Sequence, residues 1–558
     1  MTRYSNNGDD EALVPLANNP RRSSSSTIGW RHKTTHELCA FLNLMIPTVI
    51  IQCSFTICPF LTASYVGRTF GSIYLDSFTL AYLTGNLTTL SLLAGLYSAS
   101  DTLSPQAFGA GNHFEVGLIA IRGFVGSMCF VLPVNVALCI WLKPILIWVG
   151  EDEEASQHAS DWYRIYIVYI PFYAIYCITW KFLSAQNIMK PLVVVCIIST
   201  CVILPISLEF FTQWFGFLGS AMAVVTFQIS QALLLLFYLY IFRPHAPTCW
   251  PAGMLSHWKD ALEWEDFKTY MHLGFGGILM SSEWIYWEVL SLMIGTLGVV
   301  PLSVHTVPTQ FITVFLMVPL GCGTALAIRL GNILPSYHGG VRHSKVLVGS
   351  CFVVSILVFG AVSTAMYHWR HQIYSVFINE EIEPEVWAGC DEIWWMVSSF
   401  YFNVSIFLIN MGIATGLGMQ WTLGLITVFF LWVFGFPAAW YAAQEKAHVT
   451  GEGIEGLVAA WKWINPPYTG INLALIVSFV LKDWYMIRDT IREREVSLLM
   501  KTNVSPGHPS PLCLKMLVSL HVETTVKGMA DPTLPQEDYE SPSTPANYGS
   551  VMNHDLRL

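Results

Sequence analysis

The sequence predicts an all-α polytopic membrane protein with twelve transmembrane helices in two pseudo-symmetric six-helix lobes. Three observations predict it. Of 558 residues, 54% are hydrophobic and 12% charged, where a soluble domain carries roughly a quarter charged residues. Apolar runs of about 20 residues, long enough to cross a hydrocarbon layer about 30 Å thick, recur from Leu38 to Leu481. Short motifs in the connecting segments also repeat at matching places in the two halves of the chain.

Twelve runs are centred on Ile51, Leu90, Cys129, Tyr173, Val202, Ala232, Ser282, Phe315, Ser355, Phe402, Phe430 and Leu473. Lipid offers no partner to bare backbone groups, and the runs are far longer than barrel strands, so each is predicted to be a helix. Residues 1–37 are polar and contain no short apolar core with a small-residue cleavage site. They are expected to be a disordered cytoplasmic segment, with the first run kept as an anchor. A linker at 243–269 separates an N-terminal lobe, 38–242, from a C-terminal lobe, 270–482. Residues 483–558 are expected to form a cytoplasmic, mostly disordered tail, because its one apolar patch, PSPLCLKMLVSL, is too short to span.

Basic residues in alternate loops set the orientation. With the N-terminus cytoplasmic, seventeen fall on the inner side and five on the outer, so both termini are predicted inside. The acidic clusters EDEE (151–154) and NEEIEPE (379–385) then face outward as solvated loops, or gather cations at the outer mouth. The net charge of -10 provides no basic stripe for nucleic acid. Thirteen cysteines, without a C-x-x-C pair or zinc spacing, read as packing residues, and no metal or cofactor is expected. Sequons at Asn86 and Asn403 fall in spans and that at Asn503 in the tail, so glycosylation is not predicted. No nucleotide loop, H-E-x-x-H or nucleophile elbow is present, and an enzyme is not expected.

Two motifs repeat. SPQAFGAGNHFEVG follows the second span and TALAIRLGNILPSYHGG the eighth; LSAQNIMKPL follows the fourth and ATGLGMQWTL the tenth. Six spans per half start both copies on the same side, so the pseudo-symmetry axis runs along the membrane normal, with a cleft between two lobes. Prolines at 47, 59, 133, 171, 205, 308, 319 and 437 interrupt the spans and are candidate hinges.

The seventh span contains SSEWIYWEVL, which puts Glu283 and Glu288 near the middle of the bilayer. A charge there costs on the order of 2.5–3.5 kcal/mol by insertion scales, so neither acid can face lipid. Five residues at about 100° each place them roughly 140° apart, one toward a cleft and one toward a neighbouring helix. A carboxyl kept from water holds its proton more readily and attracts a cation once ionised, so proton and cationic cargo compete for one site. A hydrogen-bonded protonated pair is the structural alternative. Trp284, Tyr286 and Trp287 could hold an organic cation on their ring faces, or simply pack. Gln52 and Asn86 each need a partner inside the membrane, either a substrate or another helix. Asp101 and Gln106 are expected in a structural loop after the second span. His305 is a candidate proton relay or a packing histidine.

With SASDTLSPQAFGAGN, AQNIMKPL, EWIYWEV and AIRLGN in order, residues 35 to 482 resemble the multidrug and toxin extrusion (MATE) family, eukaryotic branch. The resemblance implies a secondary transporter that exports organic cations or amphipathic compounds in exchange for protons, or for sodium in some members. It places the family's seventh-helix acids on Glu283 and Glu288, its first-helix Gln on Gln52, its second-helix Asn on Asn86 and its loop Asp on Asp101. Two departures stand out. Animal-type members carry a tenth-span glutamate where this chain reads FYFNVSIF, with Asn403 and Val404, and the N-terminal lobe lacks the first-helix aspartate of many prokaryotic members. SVHTV stands where relatives have Gln or His-Gln early in the eighth span. A flippase for a lipid-linked precursor and a channel or scaffold are the competing functional classes. The protein is expected to act as a monomer in the lipid bilayer of a plasma or vacuolar membrane, on a small organic cation or amphipathic substrate.

Overall fold

The computed structural model describes residues 22–336, 339–375 and 384–502. Most of the segment 1–37, most of NEEIEPE, Asn503 and the tail beyond Thr502 lie outside the described residues. Among the described residues, those through Glu495 form one compact unit.

The described chain is helical, and each predicted centre falls in a separate span. The first span belongs to the helix Arg22–Phe70. The second comprises Ser72–Gly85, a π turn at Asn86–Leu90 and Ser91–Ala110. The third to sixth are His113–Val149, Glu153–Ala185, Lys190–Phe215 and Leu218–Phe242. The seventh is split into Trp264–Met280 and Ser282–Gly295. Val299–Ile333, Gly340–His368, Pro384–Leu417, Gln420–Thr450 and Gly453–Leu481 complete the set. Ten of the twelve are long and apolar enough by themselves to cross a membrane. The break at Ser281 leaves the seventh in two pieces of 17 and 14 residues, and the second is rich in Ser, Thr and Gly.

The prolines act differently according to position. Pro205 and Pro437 each follow a π turn, Ser199–Ile203 and Val428–Gly435, and Pro171 follows a 3-10 turn, Ile167–Tyr169. A proline has no N–H to donate and its ring crowds the preceding turn, so the ladder slips locally to another register. Pro47, Pro59, Pro133, Pro308 and Pro319 sit in helices that continue through them. In EDEE, Asp152 is the N-cap of its helix, accepting from the backbone N–H of Glu154 at 2.9 Å and Ala155 at 3.1 Å.

The lobes meet at one end, the end that carries the linker. Gly95 and Gly277 face each other there: a Cβ on Gly277 would lie 2.1 Å from the Gly95 carbonyl oxygen and 2.0 Å from Ser98 Oγ, and one on Gly95 would lie 2.6 Å from Ile278 Cα. Only backbones without side chains can approach so closely. Ser100 and Tyr270 share a hydrogen bond of 2.8 Å. Thr102 donates to the Thr415 carbonyl at 2.6 Å and Gln106 to the Gly416 carbonyl at 3.0 Å; Arg329 pairs with Glu37. Among the described residues every hydrogen bond between the lobes lies at this end, so the second, seventh, eighth and tenth spans converge here.

The linker is docked on the N-terminal lobe. Arg122, 2% exposed inside the third span, pairs with Glu115 at 2.8 Å, lies 3.9 Å from Asp266 and donates from Nε to the Ala261 carbonyl at 2.8 Å. Gln186 accepts from the Ala246 backbone N–H at 2.9 Å. Burial in this linker pushes the Cys249 thiol up to about 12, which leaves it protonated and inert.

Two outcomes are expected in thermal unfolding of the detergent-solubilised protein. Gly277→Val, which drives methyl groups into backbone, costs about 1–3 kcal/mol, while Gly349→Ala, where a Cβ meets nothing within 4 Å, is close to neutral. Arg122→Ala, which strands the buried Glu115 carboxylate, costs about 3–5 kcal/mol.

Candidate functional site

The break at Ser281 decides where the acids point. The Ser281 hydroxyl donates to the Gly277 carbonyl at 3.0 Å, and the backbone N–H of Trp284 bonds the Ser281 carbonyl at 3.1 Å. Glu283 therefore lies in the first turn of a new half-helix, where unsatisfied N–H groups and the positive end of the dipole favour a negative charge.

From there the acids follow two faces. Glu283 and Trp287 are four residues apart, as are Trp284 and Glu288, and residues so spaced share a face. The first face is buried. Glu283 Oε1 accepts from the Tyr468 hydroxyl at 2.8 Å and from Trp287 Nε1 at 3.2 Å, and Trp287 Nε1 also reaches the Tyr468 oxygen at 2.9 Å. Phe400 closes this group, with ring centroids 4.8 Å from Trp287 and 5.1 Å from Tyr468. The second face is open: Trp284 is 47% exposed and Glu288 is half-buried, with no hydrogen-bond or ion-pair partner among the described residues. Glu283 is thus held against the twelfth span while Glu288 is unsatisfied.

His305 joins the buried face through rings. It lies stacked on Trp287, centroids 6.4 Å apart and 13° from parallel, and 5.7 Å from Trp461. Its Nε2 is 3.2 Å from Ser291 Oγ, and its buried Nδ1 has no partner among the described residues. Tyr286, which interleaves with the acids in sequence, is wholly buried and packs edge-on against Trp432 and Phe436.

The N-terminal lobe holds Gln52 and Asn86 apart from this cluster. Gln52 is half-buried. Asn86 opens the π turn of the second span, and its buried Oδ1 has no partner among the described residues. Beside it, Asn135 Oδ1 accepts from Thr89 at 2.6 Å, from Thr88 at 3.3 Å and from Tyr163. No hydrogen bond among the described residues joins Gln52 or Asn86 to the seventh span.

Asp101 and Gln106 require a correction: they lie within the helix Ser91–Ala110, not in a loop. The helix tolerates Pro105 and ends only at Gly111, whose φ of 86° reverses the chain as a left-handed cap. Asp101 pairs with Lys181 at 2.8 Å, tying the second span to the fourth, and Gln106 serves the contact between lobes. Asn403, where the tenth-span acid is missing, sits in an amide ladder with the twelfth span. It donates to Asn465 Oδ1 at 3.3 Å, accepts from Thr469 at 3.2 Å, and its carbonyl accepts from Asn472 at 2.9 Å.

Sequence reasoning missed Tyr468, Asn135 and the Arg122–Glu115 pair. Tyr468 follows paired prolines in NPPY, an interruption within an apolar span that marks a special backbone. Arg122 stands seven residues, two helical turns, from Glu115, a spacing that places opposite charges on one face. Tyr468→Phe should cost about 1–3 kcal/mol by leaving Glu283 and Trp287 short of a partner. In a Glu283→Gln background the same change should cost less, and a thermal double-mutant cycle reads the coupling.

A family model described as MatE matches the chain twice, over residues 47–211 and 277–441, more than half of its length. The two matches fall on corresponding parts of the two lobes. An uncharacterized transporter of Schizosaccharomyces pombe is 28% identical over 469 residues, 82% of this chain and 83% of that protein. Multidrug and toxin extrusion protein 1 of Homo sapiens is 28% identical over 346 residues, 62% of this chain and 59% of that protein; the match spans about three fifths of the human relative. The crystal structure of the eukaryotic MATE transporter AtDTX14 is similar with a TM-score of 0.72 at 21% identity, covering 83% of this chain and 99% of that one. A MOP superfamily transporter from Pyrococcus furiosus gives 0.64 at 15% identity over 82% and 96%. At these identities the structures speak for the twelve-helix, two-lobed fold alone. Twice-matched sequence and shared fold together make this chain an integral membrane transporter of the MatE family, and not an enzyme.

Proposed function

We propose that the protein exports small organic cations or amphipathic compounds in exchange for protons by alternating access, with Glu283 and Glu288 as the exchanging groups. The observation that carries this reading is the unequal treatment of the two acids. Glu283 is held by Tyr468 and Trp287 in an aromatic enclosure, while Glu288, on the other face of the same half-helix beside the exposed Trp284, has no partner among the described residues. A carboxylate without a partner inside a membrane is costly, and it is relieved by a proton or by a cation. These two ligands therefore exclude each other. Trp284 supplies a ring face on the same side, suited to a delocalised organic cation.

Proton coupling would rest on the C-terminal lobe. The tenth span contributes the neutral ladder around Asn403 in place of an acid, and in the N-terminal lobe Gln52 and Asn86 are uncharged. Those two, with His305, are proposed as contacts for substrate or relay, and the membrane is a plasma or vacuolar one with both chain ends cytoplasmic.

The test is uptake of a fluorescent organic cation into proteoliposomes under an imposed pH gradient of either sign, in sodium-free and sodium-containing buffer. Uptake should follow the proton gradient in both buffers. Glu288→Gln should abolish the dependence on pH, and Glu283→Gln should lower uptake at least about tenfold. Uptake that follows sodium would assign the exchange to that ion, and uptake indifferent to both gradients would remove antiport.

A further inference from the structure

The helix Trp484–Thr502 follows the twelfth span and is used by nothing proposed above. Its start is fixed to the C-terminal lobe. Asp483 caps it, accepting from the backbone N–H of Tyr485 at 2.9 Å, and Trp484 Nε1 donates to the Phe479 carbonyl at 2.9 Å. The Lys345 ammonium lies 5.7 Å above the Trp484 ring. Arg492 then donates to the carbonyls of Pro335 and Ser336, at 3.0 and 2.8 Å, just beyond the eighth span.

One turn on, the same helix grips the N-terminal lobe. Glu495 Oε2 accepts from Asn112 Nδ2 at 2.9 Å, its Oε1 is held by Arg494, and Arg494 reaches Gln106 Oε1 at 3.3 Å. Arg492 is 3% and Glu495 1% exposed, and charges this buried are kept only by specific partners. Asn112 ends the motif SPQAFGAGN, and Pro335 and Ser336 end its counterpart LGNILPS. The helix therefore bridges the C-terminal ends of the two copies of the repeated motif, at the end where the lobes touch.

We propose that this helix is a latch that favours the conformation closed at the linker end. It is mounted on the C-terminal lobe through Trp484 and Arg492, and it releases the N-terminal lobe by breaking the Glu495–Asn112 and Arg494–Gln106 contacts when that end opens. The inference rests on alternating access but not on which ion or cargo is moved. Lobes that part at this end cannot both stay bonded to one rigid helix. The contacts to the lobe that does not carry the helix are the ones that break.

The test uses the full chain, with spin labels on Lys190→Cys and Arg342→Cys, one on each lobe at the linker end, and with the exposed Cys39, Cys129 and Cys201 replaced by Ser. Adding Asn112→Ala and Glu495→Gln should raise the population at long label separation at least about fivefold, within the usual range of conformational coupling. Size-exclusion chromatography checks that the variant remains folded. In a second arm Asn112→Cys and Glu495→Cys are oxidised to a disulfide in proteoliposomes. Uptake of ethidium should stop and return on reduction. Unchanged label distances, or uptake that continues through the locked latch, overturns the proposal. If the unlocked protein moves no ethidium, the cargo reading fails while the distance arm still decides the latch.

Discussion

A carboxyl inside a bilayer is costly without a partner, and much of the C-terminal lobe is arranged around the partner that Glu283 finds. Tyr468 donates to it from the twelfth span and Trp287 from its own half-helix. Trp287 in turn stacks on His305 of the eighth span and packs against Phe400 of the tenth. Four spans are thereby registered against one carboxyl group. The break at Ser281 is the local condition for this, because it turns the half-helix so that residues 283 and 287 face inward while 284 and 288 do not.

The same span serves a second purpose below the break. In Trp264–Met280 the side chains recede, and Gly274 and Gly277 let the backbone approach the second span closely enough for Gly95 and Gly277 to touch. One half of the seventh helix makes a close backbone contact between lobes, and the other half carries the acids. Any movement that separates Gly95 from Gly277 also moves the base of the half-helix that holds Glu283 and Glu288. The site and the closed end are thus joined along one span by a single short interruption.

Around the closed end, polar groups recur in positions the membrane does not explain. Asp101 with Lys181, Glu115 with Arg122, and Glu495 with Arg494 are ion pairs at this end. With the hydrogen bonds around them they tie the second span to the fourth, the linker to the third span, and the terminal helix to Asn112 and Gln106.

Composition and run length by themselves determined that twelve helices cross a membrane in two sets of six, because burial of backbone in lipid admits few other solutions and leaves a long apolar signal. The same reasoning isolated Glu283 and Glu288, since two acids in one span stand out against any apolar background. It could not determine that one is partnered and the other is not, because that depends on Tyr468 lying 185 residues away and on a break whose only local sign is a Ser-Ser pair. It placed Asp101 and Gln106 in a loop since Gly and Pro usually end helices, whereas packing against the eighth and tenth spans carries this helix through Pro105 to Gly111. At which end the lobes touch, and what the helix after the last span grips, were decided by tertiary structure alone: contacts between residues hundreds of positions apart leave no periodicity in the sequence.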